Sequence, residues 1–531
     1  MIKRIILLAA AFSLIYASNF QLKEMHKIRA KEKLVPFKLD VGDSPEIVIA
    51  NKMMGGFKGV IILLLWLRAI NLEEDGKYFE LIQLFDLIGK LENRIGSVWT
   101  YAAWNMSYNI AKEMPYTKSK WKWIKAGIGL IKDKGLIYCA RDSKLYEQLA
   151  WLYYNKIGGI SDTNSPLYRE YFAKEMHYIF GESPEFNEML AVEKKLENIL
   201  INETAKEIYQ IYFSNENDRN IYFKIIATEL DPDEKFIRFE EKFGESPELK
   251  KLVLYYRRKM IQDYRISIPI ILKMEKTYGQ LDWRSSYSHG LYWTIYSKEE
   301  IYNDHISLDR MEMYNLKTMY DYGYIYQFTN KDGTISFHFG PDLDRAKMVH
   351  QRYIFFMNKY PKNMKSQTFY SAHHFFIQNV VSELLVRGDR EQAEEFFNAG
   401  KPYFNMESTP EKFNDYVLKT WKISLKDQKL EERIAFVYAS ITRYYIDKFV
   451  HQKYKSKQNK LQKFIIKNYK KFKEKEKEGQ YKLQETLEET IIFALQRYLR
   501  NVNEEQLNKK YIKRFEEEIK RLEKIVLDRQ K

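Results

Sequence analysis

The sequence predicts an all-α protein, an α-solenoid of irregular helical hairpins, from three observations. The 531 residues include only 22 glycines and 12 prolines, whereas 30% of them are charged. Few chain breakers and many helix formers favour long helices joined by short turns. Apolar residues recur with a period near 3.6 along many segments. Two distant segments also place glycine, then small or apolar residues, then an aromatic residue at matching intervals.

The first residues are typical of an export signal. Lys3 and Arg4 precede an uncharged, mostly apolar run from Ile5 to Leu22. At about 1.5 Å per residue, a helix of this length just spans a hydrocarbon core. We therefore expect residues 1–22 to be a signal peptide or a membrane anchor. The expected location is the cell envelope, either on the periplasmic side of the inner membrane or in the periplasm.

The next part of the chain predicts a tether that leads into a folded body. Residues 23–52 are polar, and Pro36 and Pro45 interrupt any long helix. The apolar run from Gly59 to Leu67 follows. This run is too short to cross a bilayer, so it predicts a buried helix.

Residues 53–180 predict a first set of helical repeats. After Gly76, apolar residues follow at Leu81, Phe85 and Ile88. This spacing is similar to the second half of a tetratricopeptide repeat, where glycine permits the turn between paired helices and an aromatic residue fills the next groove. A second region, residues 278–450, repeats the intervals with Gly388, Ala393, Phe397 and Gly400.

The remaining segments differ in character from these two repeat regions. Residues 181–277 form a more charged helical middle. Residues 324–339 alternate apolar and polar side chains on both sides of an Asn-Lys-Asp-Gly sequence, which predicts one inserted β-hairpin. Residues 451–531 are predicted to form basic C-terminal helices. A seam from Tyr511 to Val526 predicts that the last helix packs back as a terminal cap rather than forming a coiled coil.

The positive charge of the protein is concentrated at its C-terminal end. Residues 451–531 carry 23 Lys and Arg against 13 Asp and Glu, so they supply most of the net charge of +15. Behind an export signal, such a segment is better matched to anionic head-groups or acidic polymers than to nucleic acid. We expect a protein or an anionic envelope polymer as the partner. A solvated helical surface without a dedicated partner is the alternative.

A polar cluster between two tryptophans is the one candidate for catalysis. Asp282, Arg284, Tyr287 and His289 lie within eight residues. Metal-free elimination on uronic-acid polymers uses such a set of groups: a histidine oriented by a carboxylate, an arginine beside it and a tyrosine that donates a proton. The alternative is a structural clasp, with an Arg–Asp pair and a histidine buried between helices. The sequence favours the clasp, so no residue is assigned as catalytic.

Aromatic residues crowd into residues 99–154 and suggest a binding surface. Exposed rings there would stack on sugars or on an apolar peptide, whereas rings at helical spacing more often fill a core. The candidate partner-binding residues are Trp99, Trp104, Trp121, Trp123 and Trp151.

The remaining motifs exclude several classes of site. Cys139 is the single cysteine, so no intramolecular disulfide forms, and we expect it to be a buried thiol. His373 and His374 are neighbours on a predicted helix and point in different directions, which is poor for one metal. The sequence contains no zinc-protease, serine-hydrolase or nucleotide-binding motif. We therefore expect no cofactor and no metal.

Three segments carry a family resemblance: VWTYAAWNMSYNIAKE, YEQLAWLYYNKIGG and YGQLDWRSSYSHGLYW. In this order they resemble a group of large, functionally uncharacterised bacterial proteins with an export signal and tetratricopeptide-like repeats. The resemblance covers roughly residues 53–160 and 278–400. It implies a helical protein of the cell envelope and supplies no activity.

Together these patterns predict an exported, membrane-tethered helical-repeat scaffold that binds a protein or polymer partner in the cell envelope. The alternative is an enzyme of the α/α-toroid type acting on acidic polysaccharide. That enzyme would use Arg284, His289 and Tyr287, with Asp282 beside them.

Overall fold

The computed structural model describes most of the chain. It covers residues 57–92, 95–159, 162–329, 335–360, 367–387, 389–404, 486–501 and 509–529, with short runs between 411 and 473 and four positions between 21 and 28. About 81% of the structure is helical, with one two-stranded sheet among the described residues. The all-α prediction is therefore confirmed.

The chain divides into two compact units. The first unit comprises Met1–Gly159, Leu167–Met311 and Lys331–Ile335. The second comprises Ile160–Pro166, Glu312–Asn330 and Ser336–Lys531.

Short and medium helices follow one another through the first unit. They are α1 (Lys58–Glu74), α2 (Tyr78–Leu91), α3 (Gly96–Asn105), α4 (Ala111–Glu113), α5 (Thr117–Leu130), α6 (Leu136–Tyr138), α7 (Ser143–Trp151), α8 (Ser165–Phe180), α9 (Phe186–Ala191), α10 (Leu196–Ile199), α11 (Glu203–Ile208), α12 (Glu216–Ile226), α13 (Glu234–Phe243), α14 (Pro247–Asp263), α15 (Ile268–Tyr278) and α16 (Ser286–Glu299). Helix α8 and helix α17 (Ile306–Tyr322) each include a boundary between the units.

Four helices of the first unit continue into a π-helical turn. These turns are Met106–Ile110, Ile131–Gly135, Leu152–Ile157 and Tyr209–Phe213. A π-turn widens the helix by one residue and redirects the side chains that follow, and such turns are frequent at functional sites. The turn at Ile131–Gly135 positions the lysine described below.

Helices α1 and α2 form the first helical hairpin of the unit. Gly76 adopts φ = +69°, the left-handed conformation that glycine tolerates, and so closes the turn between them. Leu81, Phe85 and Ile88 are all buried. The residues at repeat-like spacing therefore face the core, as the sequence predicts.

Helix α1 differs from its prediction in one respect. The run from Gly59 to Leu67 is helical, but it is not buried: Val60, Leu63 and Leu64 are each more than half exposed. The prediction of a buried helix was wrong because α1 packs on α2 along one side, while its apolar residues surround the whole helix. Apolar composition does not indicate which side has a neighbour.

Helix α7 begins at a cap that the sequence identifies. The Asp142 carboxylate accepts hydrogen bonds from the backbone N–H of Lys144 and from that of Gly96, at 3.1 and 2.9 Å. One side chain therefore caps α7 and holds the start of α3 against it. Cys139 lies nearby and is buried, as expected, and burial raises the pKa of its thiol to about 12.

The second unit contains the sheet and a second set of helices. Strands β1 (Tyr324–Thr329) and β2 (Ile335–Gly340) pair as a hairpin, which confirms the predicted insertion. A 3₁₀ turn (Leu343–Arg345), α18 (Ala346–Lys359), α19 (Gln367–Arg387), α20 (Arg390–Gly400) and a second 3₁₀ turn (Lys401–Tyr403) follow.

Helices α19 and α20 form the helical hairpin expected from the second glycine spacing. Ala393 and Phe397 are buried, and the backbone of Gly400 lies so close to Ile377 that a Cβ would approach it within 2.9 Å. Gly388 itself lies outside the described residues.

The last helices of the second unit are α21 (Leu487–Asn501) and α22 (Lys509–Arg529). Phe515 and Ile519 from the predicted seam pack with Ala494 of α21 and with Ile441. Helix α22 therefore packs against other parts of its own unit, as a cap does.

Among the described residues, no helix is both long and apolar enough to cross a membrane. The run from Ile5 to Leu22, the predicted tether at 23–52 and most of the lysine-rich segment after 451 lie outside the described residues.

Candidate functional site

The polar cluster of the sequence analysis lies at the start of α16. Arg284 and Asp282 form a two-point ion pair, with Nε–Oδ1 at 3.0 Å and Nη2–Oδ2 at 2.8 Å. Glu182 lies 3.6 Å from the same guanidinium. The side chain of Arg284 is only 5% exposed, against 21% for Asp282. The pair fixes the turn into α16, where Ser285 accepts a hydrogen bond from the backbone N–H of Tyr287.

His289 is enclosed by aromatic rings. Its Nε2 lies 2.9 Å from the carbonyl oxygen of Trp283, so Nε2 carries the proton and donates it. Burial and the nearby charge of Lys132 lower the pKa of His289 to about 3. The imidazole is therefore neutral at physiological pH. The rings around it belong to Tyr153, Phe172, Phe180, Tyr264 and Trp283.

Tyr287 links α16 to the loop after α7. Its hydroxyl donates to the carbonyl of Gly158 at 2.7 Å and accepts from Arg169 at 3.2 Å. A Cβ on Gly158 would lie 2.2 Å from the Tyr287 ring, so only glycine permits this approach. Tyr287 acts as a packing and hydrogen-bonding contact between helices.

These four residues do not converge on an open site. Tyr287 and His289 are 1% and 0% exposed, and none of the four lines the cleft described below. An acid–base pair must reach its substrate within hydrogen-bond distance. Burial between packed helices is the geometry of the structural clasp, and it gives no support to Arg284, His289, Tyr287 and Asp282 as catalytic residues.

The five candidate tryptophans have different surroundings. Trp99 is fully buried and stacks on Tyr138, so it contributes to the core and not to a binding surface. Trp104 is 37% exposed. Trp123 and Trp151 are half-buried. Trp121 is largely buried but lines a cleft of the first unit.

This cleft, which we call the aromatic cleft, has a volume of about 860 Å³. It lies between α5, α8, α12 and α14, and its aromatic lining consists of Trp121, Phe172, Tyr178, Phe223, Tyr256 and Tyr264. Rings offer flat apolar faces to a ligand, and polar groups between them fix its orientation. Its volume falls within the range of about 300–1,000 Å³ that is usual for small-molecule sites.

Charged side chains of both signs surround the aromatic cleft. Lys125, Lys132, Arg219 and Lys259 face Asp133, Glu175, Glu216 and Asp263, and Asn220 adds an amide. Lys125 pairs with Glu175 at 3.0 Å. Arg219 lies over the ring of Tyr256, 4.8 Å from its centre. Because the numbers of acidic and basic groups match, the lining has no strong preference for one sign of charge.

A second depression adjoins the aromatic cleft. It has a volume of about 460 Å³ and shares Lys125, Gly129 and Asp133 with the larger one. Its other walls come from α2, from the π-turn that follows α3, and from the remaining part of α5 and its π-turn. The two depressions lie side by side along α5, and we call them together the α5 groove.

Lys132 is the most unusual residue of the aromatic cleft. It lies on the π-turn that continues α5, and only 6% of the residue is exposed. No described residue forms an ion pair with it. Burial lowers the pKa of its ammonium to about 7, although Asp133 and Glu175 act in the opposite direction.

An aromatic ring forms the immediate contact of the Lys132 amine. Nζ lies 3.1 Å from the centre of the Tyr264 ring. The ring face attracts an ammonium and so partly opposes the effect of burial. The Tyr264 hydroxyl in turn lies 3.0 Å from the hydroxyl of Tyr153, whose ring contacts His289. Tyr264 therefore links Lys132 to the fully buried Tyr153 and His289.

Sequence reasoning did not identify Lys132, although one signal was present. Ile124, Ile128 and Lys132 follow one another at intervals of four, so the lysine lies on the apolar side of α5. A lone lysine in an apolar stripe has either a partner or a function. The π-turn, which has no recognised sequence signature, then places it at the cleft.

The described residues hold no cluster of three or more metal-binding side chains. In the second unit, His373 contacts His350 at 2.9 Å between ring nitrogens, and both are buried. His374 instead lies 3.0 Å from Gln378. The neighbouring histidines thus take different partners, as their angular separation on a helix requires.

Comparison with known proteins gives no assignment: no family model, no curated protein and no solved structure matches the chain.

Proposed function

We propose that the protein is a helical scaffold that binds a polysaccharide segment of the cell envelope in the α5 groove. The observation that carries the proposal is the aromatic cleft itself, about 860 Å³ in volume, with six aromatic side chains and alternating acidic and basic groups. Sugar rings stack on aromatic faces, and their hydroxyls bond to carboxylates and amides. The adjoining depression extends the groove and suits a chain-like ligand.

The scaffold part of the proposal is supported by the helical hairpins. The α1–α2 and α19–α20 pairs bury residues at the spacing of tetratricopeptide-like repeats. Stacked helical pairs present long surfaces on which a partner is held by many small contacts. The intervening helices vary from three to seventeen residues, so any such repeats are irregular.

The attachment part of the proposal is that the scaffold is held at a membrane. The predicted anchor at residues 1–22 supports it, and so does an exposed strip of α1. This α1 apolar face comprises Val60, Leu63, Leu64, Leu67 and Ile70, which are 47–59% exposed. Trp66, Tyr101 and Trp104 form a row of ring contacts beside it. Apolar side chains flanked by Trp and Tyr are typical of the membrane–water interface.

Oligosaccharide binding by the full-length protein tests the main proposal. Neutral chitooligosaccharides and acidic oligogalacturonates would be titrated calorimetrically with the wild type and with Trp121→Ala. We expect loss of at least about 1 kcal/mol of binding free energy, the usual contribution of one stacked ring. Trp104→Ala removes an exposed tryptophan outside the cleft and is the matched control.

A second variant separates binding from folding. Asp263 is exposed at the rim of the aromatic cleft, so Asp263→Asn changes a ligand contact and leaves the core intact. We expect weaker binding with an unchanged unfolding transition. The proposal fails if neither kind of oligosaccharide binds, or if Trp104→Ala weakens binding as much as Trp121→Ala does. Binding of an unstructured peptide instead would assign the groove to a protein partner.

A further inference from the structure

We propose that the aromatic cleft also captures carbonyl compounds, and that the amine of Lys132 forms a reversible imine with an aldehyde or ketone there. The proposal begins from position. Lys132 lines a cleft of about 860 Å³, yet the residue is only 6% exposed. A small molecule in the cleft therefore meets this amine in surroundings with little competing solvent.

The surroundings of Lys132 favour a nucleophilic amine. Every packed element contributes a group: Asp133 lies on the same π-turn, Glu175 comes from α8, Arg265 follows α14 and His289 lies on α16. Asp133 and Glu175 stabilise the ammonium, whereas Arg265 and burial destabilise it. The balance leaves about half of the amine neutral near pH 7. An ordinary lysine is neutral to less than about 0.1% at that pH.

Other lysines of the same region do not share these properties. Lys125 is paired with Glu175, and nearly half of its side chain is exposed. Lys122 lies on the solvent side of α5 and is exposed. These two residues are internal controls, because they lie on the same helix and differ from Lys132 in burial and pairing.

The chemical step balances without any further reactant. The lone pair of Nζ attacks the carbonyl carbon, a C–N bond forms, and the oxygen takes a proton to give a carbinolamine. Loss of the hydroxyl group as water then gives the C=N bond. Both hydrogens of the amine leave with the carbonyl oxygen, and no electrons are gained or lost. Asp133 and Glu175 line the same cleft, and their carboxyl groups are the ones available there to exchange protons.

The aromatic lining defines the class of carbonyl compound. Tyr264 and the other rings favour an apolar or aromatic aldehyde, and a reducing sugar in its open-chain form carries the same reactive group. The imine does not depend on oligosaccharide binding, because a small aldehyde needs only access to the cleft.

Reductive trapping tests the proposal on the full-length protein. The protein is incubated with benzaldehyde and cyanoborohydride, which reduces imines to stable amines, and peptide mass spectrometry gives the modified positions over time. Near pH 7 we expect Lys132 to react at least about tenfold faster than Lys122, since far more of its amine is neutral. The rate at Lys132 should level off above about pH 7, whereas the rate at Lys122 should keep rising toward pH 10.

Two outcomes would overturn the imine. One is that Lys132 reacts no faster than Lys122. The other is that Lys132 reacts only after unfolding in urea, which would show that the amine is closed to ligands.

The same trapping experiment tests the proposed polysaccharide site independently of the imine. Saturating oligosaccharide should protect Lys132 from benzaldehyde. Trapping at Lys132 without such protection would leave the imine standing and count against the polysaccharide site. Lys132→Arg keeps the charge and cannot form an imine. Comparing its stability with that of the wild type shows whether a substitution at this position leaves the cleft folded.

Discussion

The Nζ atom of Lys132 lies 3.1 Å from the centre of the Tyr264 ring. This contact puts an ionisable group in a place where a ring face attracts it and where no carboxylate of the described residues is paired with it. A buried lysine in that situation lowers the stability of the fold whenever it is charged, and its presence requires a reason other than stability.

The first prediction concerns the effect of Lys132 on the free energy of unfolding. The pKa of Lys132 is about 7 when folded and 10.5 at its ordinary value. Between these values the unfolded chain binds more protons, so stability rises with pH across this window. Lys132→Met removes the effect. We expect it to raise the free energy of unfolding near pH 7 by roughly 2 kcal/mol, since replacing a buried charge by an apolar group is often stabilising.

Hydrogen exchange of peptides from α5 and α14 measures this change within the first unit. Lys122→Met, at an exposed position of α5, should alter exchange by less than about 0.5 kcal/mol. Lower stability of Lys132→Met at every pH would contradict the assignment, because it would mean that the ammonium is well paired.

The second prediction concerns acid sensitivity. The pKa of His289 is about 3 in the fold and 6.5 at its ordinary value. Between these values the unfolded chain binds more protons, so stability falls as pH drops below 6.5 and continues to fall toward 3. His289→Gln keeps a donor for the Trp283 carbonyl and cannot be protonated. Its stability should therefore depend less on pH, by up to about 1.4 kcal/mol per pH unit.

Exchange of peptides from α8 and α16 between pH 4.5 and 6.5 would measure that slope. The pKa of His177 is also lowered, so His177→Gln is the matched variant for comparison. It removes a different buried imidazole of the same unit and leaves His289 in place. If the slope is identical in the wild type and in His289→Gln, His289 is not a buried neutral imidazole.

The fold was predictable where local chemistry determines it. Gly76 at the end of α1, Asp142 before α7 and the alternation around the β-hairpin each require one backbone conformation, and each was identified. The exposure of α1 was not predictable, because an apolar helix is compatible with burial on any side. Neighbours that are distant in the chain decide that question.

The candidate site was predictable only in part. Asp282 and Arg284 are two residues apart, so their pairing follows from local geometry. The environment of Lys132 depends on Glu175, Tyr264 and Arg265, which are 43 or more residues away in the chain. No sequence pattern indicates that these distant residues lie close together in the fold. The π-turn that positions the lysine at the cleft was not predicted either.

The third prediction tests the clasp around Arg284. Arg284→Met leaves Asp282 without its partner beside a largely buried turn, and we expect a loss of roughly 3 kcal/mol in the stability of the first unit. Asp282→Asn keeps a hydrogen-bond acceptor and should cost less. The double variant should be more stable than the sum of the two changes implies, because the second change then removes an unpaired charge.

Chemical unfolding of the three variants, with hydrogen exchange of the peptide that contains α16, measures the coupling. Oligosaccharide binding is the second readout, and it should remain unchanged in Asp282→Asn, because Asp282 does not line the aromatic cleft. Additive effects of the two substitutions would exclude a clasp, and loss of binding with normal stability would restore the catalytic interpretation.

The fourth prediction places the α1 apolar face on a lipid surface. Val60, Leu63, Leu64, Leu67 and Ile70 form one strip of α1. A fluorescent label on Leu64→Cys should shift its emission to the blue when the full-length protein is reconstituted in phosphatidylglycerol vesicles, and brominated lipids should quench it. The same label on Ile201→Cys, an equally apolar and 75% exposed position in the same unit, is the control.

Charge on the strip, as in Leu63→Glu with Leu67→Glu, should abolish the shift at position 64 even if the chain stays attached through its first residues. Equal quenching at positions 64 and 201 would show that the strip has no particular contact with lipid. A blue shift on mixing labelled with unlabelled protein without vesicles would instead point to a second copy of the chain as the occupant.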